Sequence, residues 1–441
     1  MKTIVALSTP PINGAIHIIR VSGSNAFSIV NKVCFPKLIK KGYIVQKTKI
    51  LNKGKKIDDV LVSTFVAPKT FTGEDVIEIN CHGGIHLANM IINLLIANGC
   101  VLAKPGEFSE RAFLNHKLTI HQAEAINNLI KATSDKAVDF ANNGLTKEVI
   151  EALNNIKDQI FTLLGQVEVN IDYPEFDDVP QISHQKFLSI LNKLIVNISS
   201  TVDRSKKLIP IKDGINVAII GKPNVGKSSL LNALLNQSRV IVSNVPGTTR
   251  DIVNDRININ GVTINFLDTP GLHHTKDKIE SMGIIKVNRV IQDANLILWV
   301  IDGSKPLDIK DKSIRHLLIN KEYLVVINKC DLKKTVIING IQVSAKNKQV
   351  NKLINAISSK LKFINFNNRK QIILQSTRAI GLMEQALNNL NIVKNMLTKI
   401  EPIDLTSEYL LAAHHNVLSI LGKEDDFNFI NEIFRKFCVG K

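Results

Sequence analysis

The sequence lacks several features that would assign it early to a secreted or membrane class. No window of its 441 residues is a clean apolar stretch of transmembrane length, and the apolar run 296–301 ends at Asp302. The first residues are strand-like and carry no signal-peptide cleavage pattern. The five cysteines have no paired spacing, which is typical of reduced thiols. We therefore expect a cytoplasmic protein without disulfides or a membrane partner.

The composition allows a large, folded and basic protein. With 441 residues, of which 44% are hydrophobic, the chain is long enough for two or three domains with separate cores. The formal net charge of +17 suits an RNA partner. The sequence is also rich in Lys, Ile and Asn, the residues that a drift towards A+T favours, and its lysines are spread along the chain. The charge alone leaves both explanations open, and it indicates no particular surface for RNA.

Residues 221–228, with the sequence G-K-P-N-V-G-K-S, match the phosphate-loop pattern G-x-x-x-x-G-K-[ST]. The apolar run 215–220 predicts the strand that leads into this loop, and residues 229–235 predict the helix that leaves it. Glycines allow the loop to turn its N–H groups towards phosphate oxygens at a helix N-terminus. In this pattern Lys227 reaches the β- and γ-phosphates, and Ser228 holds Mg²⁺.

Three later motifs identify the nucleotide. Residues 268–271, D-T-P-G, follow a strand-like run, so an Asp can hold Mg²⁺ through water and a Gly N–H can sense the γ-phosphate. Residues 328–331, N-K-C-D, are the guanine-recognition pattern, in which the Asp331 carboxylate accepts hydrogen bonds from guanine N–H groups. Residues 344–346, S-A-K, fit a weaker motif beside the base. Their order along the chain predicts a GTP-hydrolysing enzyme.

The predicted GTP-binding residues come from five segments of the chain. They are Asn224, Val225, Gly226, Lys227, Ser228, Ser229, Ser243, Asn244, Val245, Pro246, Gly247, Thr248, Thr249, Asp268, Thr269, Pro270, Gly271, Asn328, Lys329, Cys330, Asp331, Ser344, Ala345 and Lys346.

The predicted elements divide the chain into four parts of a multidomain α/β protein. Residues 1–118 have the pattern of an α+β domain, and residues 119–213 have helical spacing. Residues 214–365 alternate strand and helix as a doubly wound parallel sheet does, with an antiparallel edge strand after the turn Asn260-Gly261. Residues 366–441 are helical again. The nucleotide domain is therefore predicted to be inserted into a helical domain.

Four further motifs lie outside the nucleotide domain. They are residues 71–78 (F-T-G-E-D-V-I-E), 82–84 (H-G-G), 105–115 (P-G-E-F-S-E-R-A-F-L-N) and 437–441 (F-C-V-G-K). With these motifs the whole chain resembles the MnmE, or TrmE, family of tRNA modification GTPases. The resemblance implies an α+β folate-binding and dimerisation domain, an all-α helical domain and an inserted P-loop GTPase domain.

The resemblance also implies a reaction and its cofactors. The expected reaction adds a carboxymethylaminomethyl or aminomethyl group to carbon 5 of the wobble uridine of certain tRNAs. The one-carbon unit is expected from 5-formyl- or 5,10-methylene-tetrahydrofolate. A flavin-containing partner subunit is expected to carry FAD in a heterotetramer with a homodimer of this chain, and no G-x-G-x-x-G fingerprint occurs in this chain. The sequence indicates neither which tRNAs are modified nor whether glycine or ammonium donates the amine.

The switch segment has an unusual residue at the position that orients water. Leu272 follows D-T-P-G where many small GTPases have a glutamine, and an aliphatic side chain cannot hydrogen-bond a water. The resemblance implies that Glu280 is the catalytic residue instead. It also implies a bound K⁺, which would neutralise the charge that develops between the β- and γ-phosphates. The predicted K⁺ ligands are Asn224, Ser243, Val245 and Thr248, and the predicted Mg²⁺ ligands are Ser228 and Thr249.

The resemblance implies a folate site formed by Arg20, Glu78, Lys117 and the terminal Lys441. A pterin presents donors that suit the Glu78 carboxylate, and the glutamate tail of folate suits Arg and Lys. From the residues alone, Arg20 and Glu78 are equally explained as polar positions on strands. Cys438 has no visible base partner, so its role stays open.

Two other classes of GTPase share the nucleotide motifs. An Era-like ribosome-assembly GTPase, which acts as an RNA-binding switch, would place its RNA-binding module after the GTPase domain. Here most of the additional residues precede that domain. A membrane-associated iron-transport GTPase would need long apolar spans, which this sequence lacks.

Overall fold

The described part of the chain forms two compact units. The structure is a computed structural model that describes residues 1–172, 184–237, 256–267, 289–360, 371–399 and 401–422, together with Phe434, Phe437 and Gly440. The first unit comprises Met1–Asn127, Ile156–Leu188 and Asn388–Lys441, and the second comprises Asn128–Asn155 and Ser189–Leu387. The four-part division made from the sequence stays a prediction.

The first unit contains a seven-stranded sheet. Its strands are β1 (Ile4–Leu7), β2 (Ile16–Ser22), β3 (Cys34–Phe35), β4 (Ile44–Asn52), β5 (Lys55–Phe65), β6 (Val76–His82) and β7 (Val101–Leu102). Their spatial order is β3-β4-β5-β6-β2-β1-β7, and only the pair of β1 and β7 is parallel.

Side-chain alternation gives this sheet two different faces. On one face Ile19 of β2 and Ile77 and Ile79 of β6 are fully buried in a hydrophobic core. The intervening residues Arg20 and Glu78 therefore lie on the opposite face, directly across from each other in the ladder between β2 and β6. The fold thus places two charged side chains of the predicted folate site side by side.

The second unit contains a six-stranded sheet. Its strands are β8 (Ile215–Ile220), β9 (Arg256–Ile259), β10 (Val262–Leu267), β11 (Leu296–Asp302), β12 (Tyr323–Asn328) and β13 (Ile341–Gln342), in the order β13-β12-β11-β8-β10-β9. Only the β9–β10 pair is antiparallel, which confirms the predicted edge hairpin at Asn260 and Gly261, where φ is 51° and 78°. Strand β8 lies between β10 and β11, and open α/β sheets bind ligands at the carboxyl ends of strands at such a switch point.

Both faces of this sheet are buried, as a parallel sheet requires. On β8, Val217 and Ile219 belong to one hydrophobic cluster, while Ala218 and Ile220 belong to another that contains Trp299. The apolar run that predicted β8 from the sequence is therefore continuous because both faces of the strand are covered.

Thirteen α-helices and one 3₁₀ helix are present in the described ranges. They are α1 (Ala26–Val30), α2 (Ile85–Ala97), α3 (Glu107–Leu114), α4 (Ile120–Lys131), α5 (Asp135–Leu145), α6 (Lys147–Asp172), α7 (His184–Leu208), α8 (Pro210–Asp213), α9 (Lys227–Gln237), α10 (Ile309–Leu317), α11 (Asn351–Lys360), α12 (Thr377–Thr398), α13 (Ser407–Leu421) and the 3₁₀ helix Ile403–Thr406. Of the helices in these ranges, none is both long and apolar enough to cross a bilayer.

Helix α5 packs closely against a buried glutamine within the second unit. The Gln375 Nε2 atom donates to the Phe140 carbonyl at 3.0 Å, and Asn128 Nδ2 donates to the Gln375 carbonyl at 2.8 Å. A Cβ atom added at Gly144 would lie 2.5 Å from Cγ and Cδ of Gln375, which is fully buried. Gly144 is therefore required by the close approach of this side chain.

We expect Gly144→Ala to destabilise the second unit by about 1–3 kcal/mol, because the buried Gln375 amide has to move out of its hydrogen bonds. Gly165→Ala is the matched control, since Gly165 is exposed on α6 and an added Cβ meets nothing within 4 Å. That control should stabilise the protein by about 0.5–1 kcal/mol through helix propensity alone. Thermal unfolding of both variants measures the effect, and equal melting temperatures would contradict the packing argument.

Candidate functional site

The phosphate loop leaves the carboxyl end of β8 and runs directly into α9. Within it Asn224 and Gly226 have left-handed φ values of 63° and 91°. A Cβ atom at Gly221 would overlap the Val300 carbonyl oxygen, and one at Gly226 would overlap the Asn328 amide nitrogen. Both glycines of the motif are therefore required by backbone and side chains that approach closely, and the loop keeps its tight curvature.

Lys227 carries a positive charge inside this loop. Its Nζ atom donates to the carbonyl oxygens of Gly221 at 2.8 Å and Lys222 at 2.7 Å. Burial lowers the pKa of Lys227 below its usual value, because the ammonium is removed from water. Within the described ranges no carboxylate lies within ion-pair distance of it. A desolvated ammonium that is held only by carbonyls is a binding site for an anion such as phosphate.

A second lysine fixes the loop from the side of β11 and β12. Lys329 Nζ donates to the Asn224 carbonyl at 2.9 Å and pairs with Asp302 Oδ2 at 2.7 Å. Burial alone would raise the pKa of Asp302, but the hydrogen bonds from Lys329 and Ser304 lower it below its ordinary value. The N-K-C-D motif is therefore connected to the phosphate loop through a buried carboxylate at the end of β11.

A third lysine fixes the loop from the side of α10. Lys222 Nζ pairs with Asp308 Oδ2 at 2.8 Å and with Asp311 Oδ2 at 2.6 Å. The two aspartates also form the capping box of α10, since each side chain accepts from the other's backbone N–H. The hydrogen bond from Lys222 lowers the pKa of Asp308 to about 2. The ion pair therefore persists throughout the neutral pH range.

The base-recognition motifs meet at the end of β12. Asn328 Nδ2 donates to the Val225 carbonyl at 2.9 Å, and Asn328 Oδ1 accepts from the Ala345 N–H at 3.1 Å. Ser344 Oγ donates to Asp331 Oδ1 at 2.6 Å, and this hydrogen bond lowers the pKa of the exposed Asp331 carboxyl. Asp331 is therefore held ionised in an orientation that Ser344 sets.

The structure thus brings together three of the five predicted GTP-binding segments. Ser228 and Ser229 are exposed in the first turn of α9, and Cys330 and Lys346 are exposed beside Asp331. Ser228 is open to a cation at this helix N-terminus. The remaining predicted residues lie outside the described residues: Ser243, Asn244, Val245, Pro246, Gly247, Thr248, Thr249, Asp268, Thr269, Pro270, Gly271 and Glu280. The assignment of each residue to GTP or to a metal stays a prediction.

The carboxylates that fix the loop do not belong to the nucleotide motifs of the sequence. Asp302 ends an apolar run, and its charge at the end of a buried strand is the signal that the sequence offers. Asp308 and Asp311 have the spacing of a helix N-cap and its third residue, which identifies a helix start but not a partner lysine. Their role depends on Lys222, which occupies a variable position of the motif.

A second candidate site lies on the sheet of the first unit. Arg20 Nε and Nη2 both donate to Glu78 Oε1, at 2.9 and 2.7 Å, and both side chains are partly buried. Arg20 Nη1 donates to the carbonyl oxygen of Gly440 at 3.0 Å. Gly440 is buried with φ of 91°, and an added Cβ would lie 2.5 Å from the Leu7 carbonyl oxygen. The far end of the chain is therefore anchored on Arg20.

The other two residues of the predicted folate site are placed less firmly. Lys117 is exposed after α3, and in the described ranges no hydrogen bond or ion pair joins it to Arg20 or Glu78. Lys441 and Cys438 lie outside the described residues. Glu78 Oε2 accepts no hydrogen bond from the described residues, so this oxygen is available to a ligand donor.

An ion network supports the strand that carries Arg20. Arg111 Nη1 donates to both oxygens of Glu74, at 3.0 and 3.1 Å, and Nη2 donates to Glu107 Oε1 and the Lys2 carbonyl, both at 2.8 Å. Ser22 Oγ, two residues from Arg20 on β2, donates to Glu74 Oε2 at 2.8 Å. The motifs 71–78 and 105–115 therefore meet in a buried arginine and its partners, which hold β2 in place.

Two family models match the chain. One is the GTP-binding protein TrmE N-terminus over residues 3–117, and the other is the MnmE helical domain over residues 120–438. The tRNA modification GTPase MnmE of Malacoplasma penetrans is 43% identical over 443 residues, which cover 100% of this chain and 99% of that protein. The protein of the same name from Ureaplasma parvum is 42% identical over 445 residues, with 100% of both chains covered.

Among solved structures, Era of Aquifex aeolicus bound to GDP and AlF₄⁻ is similar to part of the chain. It is 29% identical over 40% of this chain and 66% of its own, with a TM-score of 0.25.

We expect Asp331→Asn to weaken GTP binding by roughly 100-fold or more, because an amide nitrogen would face the N–H donors of guanine. Binding of xanthosine triphosphate should improve, since its base offers a carbonyl oxygen where guanine has an amine. Competition binding measures the affinities of the variant for GTP and for xanthosine triphosphate. Ser344→Ala is the control: it removes the 2.6 Å hydrogen bond to Asp331 but keeps the carboxylate, so GTP should remain preferred. An Asn variant with undiminished GTP affinity would contradict the assignment of Asp331 to the base.

Proposed function

The chain belongs to the MnmE family of tRNA modification GTPases, and from this membership we propose the chemistry that its GTPase activity serves. The protein adds a carboxymethylaminomethyl or aminomethyl group to carbon 5 of the wobble uridine of certain tRNAs. Its one-carbon unit comes from 5-formyl- or 5,10-methylene-tetrahydrofolate. It acts in the cytoplasm as a homodimer joined through the N-terminal domain, in a heterotetramer with a flavin-containing subunit that carries the FAD.

The partly buried ammonium of Lys227 is the observation that supports GTP as the nucleotide most directly. A lysine with carbonyl partners and no carboxylate among the described residues suits the β- and γ-phosphates. Asn328 connects this loop to Asp331, which suits guanine at the other end of the same site. An Era-like switch would use the same residues, but the similarity to tRNA modification GTPases extends over the whole chain.

The loop residues also fit the proposed metal ions. Ser228 is exposed at the start of α9 and would hold Mg²⁺, together with Thr249. The backbone carbonyl of Asn224 already accepts from Lys329, and the side-chain oxygen of Asn224 would be its ligand to K⁺. A bound K⁺ would supply the positive charge that an arginine finger supplies in other GTPases. Ser243, Val245 and Thr248 complete the proposed K⁺ ligands.

Glu280 is proposed to orient and deprotonate the attacking water, because Leu272 offers no hydrogen-bonding group at the usual position. Lys227 binds the phosphates, and the tethers from Lys222 and Lys329 keep the loop in one conformation before nucleotide enters. A loop that is already ordered loses little conformational freedom on binding, so more of the binding energy is available to the transition state.

The pair of Arg20 and Glu78 fits a folate ligand. Glu78 keeps one oxygen without a donor from the described residues, which suits the N–H groups of a pterin. Gly440 is fixed on Arg20, and the next residue in the sequence is Lys441, which we propose reaches the same ligand together with Lys117. The role of this site is to hold and orient the one-carbon donor.

We expect GTP hydrolysis to be at least about tenfold faster in KCl than in NaCl, because K⁺ replaces the missing arginine finger. Glu280→Ala should lower kcat by about 10²-fold or more and leave nucleotide affinity nearly unchanged, since Glu280 acts on the attacking water. Steady-state hydrolysis in matched salts, with affinity measured separately, distinguishes the two effects. Equal rates in KCl and NaCl would remove K⁺ from the proposal.

Nucleoside mass spectrometry of tRNA tests the proposed function directly. A strain that lacks this protein should lose the modified wobble uridine, and the intact gene should restore it. A variant without residues 438–441 should fail to restore it, because the contact of Gly440 with Arg20 and the terminal lysine are lost. The same variant should hydrolyse GTP at nearly the normal rate, since these residues lie outside the nucleotide motifs. Lys441→Ala, which keeps Gly440, separates loss of the ligand group from loss of the anchor. Restored modification with lost hydrolysis would contradict the folate assignment.

A further inference from the structure

The positive charge of this protein is concentrated near its start. The first 57 residues contain ten lysines and one arginine but no aspartate or glutamate, so they carry +11 of the net +17. Five of these lysines lie on the hairpin formed by β4 and β5: Lys47, Lys49, Lys53, Lys55 and Lys56. We call them the hairpin lysines. The lysines are spread along the chain, but in this segment no acidic residue offsets their charge.

Strand alternation directs the hairpin lysines to solvent. On β4, Lys47 and Lys49 are exposed. Thr48, which lies between them, and Ile50, which follows Lys49, are buried. By strand geometry, residues two positions apart on one face are about 7 Å from each other. Lys53, with φ of 48°, begins the turn, and Lys55 and Lys56 start the returning strand; all three are exposed. The hairpin therefore carries five exposed lysines between residues 47 and 56.

Few negative charges oppose these lysines. Asp59 lies directly across the ladder from Lys49 and is paired with Lys56. The hydrogen bond from Lys56, followed by the fields of Lys49 and Lys47, lowers the pKa of Asp59, so three lysines share one carboxylate. The neighbouring Asp58 is buried and accepts hydrogen bonds from the backbone and ring of His82.

The remaining hairpin lysines have no ion-pair partner in the part of the chain that the structure describes. This holds for Lys47, Lys49, Lys53 and Lys55, whereas Lys40 pairs with Asp75 at 2.7 Å. An uncompensated row of ammonium groups attracts a polyanion, and its binding releases counterions from that polyanion.

We infer that the hairpin lysines bind the phosphate backbone of tRNA. This inference rests on the proposed function for the identity of the polyanion. Lysine contacts phosphate as a point charge and does not read bases. The hairpin would therefore position the tRNA, and other residues would select the uridine. An anionic membrane is the poorer partner, because the turn sequence 52–56, N-K-G-K-K, offers no apolar side chain for insertion.

The test is a variant in which Lys47→Gln, Lys49→Gln, Lys53→Gln and Lys55→Gln are combined in the full chain. Lys56 is kept because it pairs with Asp59. Fluorescence anisotropy with a labelled tRNA transcript over a series of KCl concentrations gives the affinity and its salt dependence. We expect affinity to fall roughly tenfold or more. The slope of log K against log[salt] should become shallower by about 3–4, since four phosphate contacts are lost.

The matched control removes the same charge elsewhere by combining Lys131→Gln, Lys321→Gln, Lys352→Gln and Lys399→Gln, all at exposed positions. It should leave the slope nearly unchanged, and the corresponding Lys→Arg variant of the hairpin should bind tRNA normally. GTP hydrolysis should be unaffected in every variant.

Four results would overturn the inference. If neither quadruple Gln variant loses affinity, or if both lose it equally, the hairpin is not the tRNA surface, although the proposed function stands. Aggregation of the hairpin variant with unchanged tRNA affinity would assign the lysines to protection of a sheet edge instead. If the unaltered chain binds phosphatidylglycerol vesicles and no tRNA, the inference fails and the tRNA part of the proposed function loses its support as well.

Discussion

The ammonium of Lys227, which no carboxylate of the described residues neutralises, is the constraint on which the nucleotide site depends. Two neighbouring lysines have aspartate partners: Lys222 pairs with Asp308 and Asp311, and Lys329 pairs with Asp302. Among the described residues Lys227 contacts only carbonyl oxygens, so its charge is available to a phosphate. A carboxylate beside Lys227 would satisfy its charge and compete with the ligand. The distribution of partners among three lysines therefore determines which of them is left for the nucleotide.

The two candidate sites use charge in opposite ways. In the second unit the partly buried ammonium of Lys227 has no counterion among the described residues, whereas in the first unit Arg20 already has Glu78 and the Gly440 carbonyl. A ligand at the first site therefore has to be recognised through the second oxygen of Glu78 and through groups that approach from the chain end. Such a site favours a ligand with both donors and negative charge, while the phosphate loop favours a ligand with negative charge alone.

Local patterns predicted the nucleotide unit well. The strand, loop and helix around 215–235 and the hairpin at Asn260-Gly261 follow from residues that are neighbours in sequence, and the structure has them. The tethers of the loop could not be predicted, because Lys222 and Asp311 meet only once β8 and β11 lie side by side in the sheet. The exposure of Lys47 and Lys49 also required the structure, because the sequence does not show which face of β4 is covered. Glu280 and the segments 243–249 and 268–271 lie outside the described residues, so their roles remain predictions.

The contact between Arg20 and Gly440 spans 420 residues of sequence, and this separation has a consequence for biosynthesis. At about 5–20 residues per second, a ribosome needs roughly 20 to 80 s to reach Gly440 after it has made Arg20. Strands β2 and β6 are complete within the first 82 residues and can pair long before that time. The pair of Arg20 and Glu78 therefore forms early, while the third partner is added only when synthesis reaches residue 440. The contact of Gly440 with Arg20 can therefore form only after all the intervening residues have been synthesised.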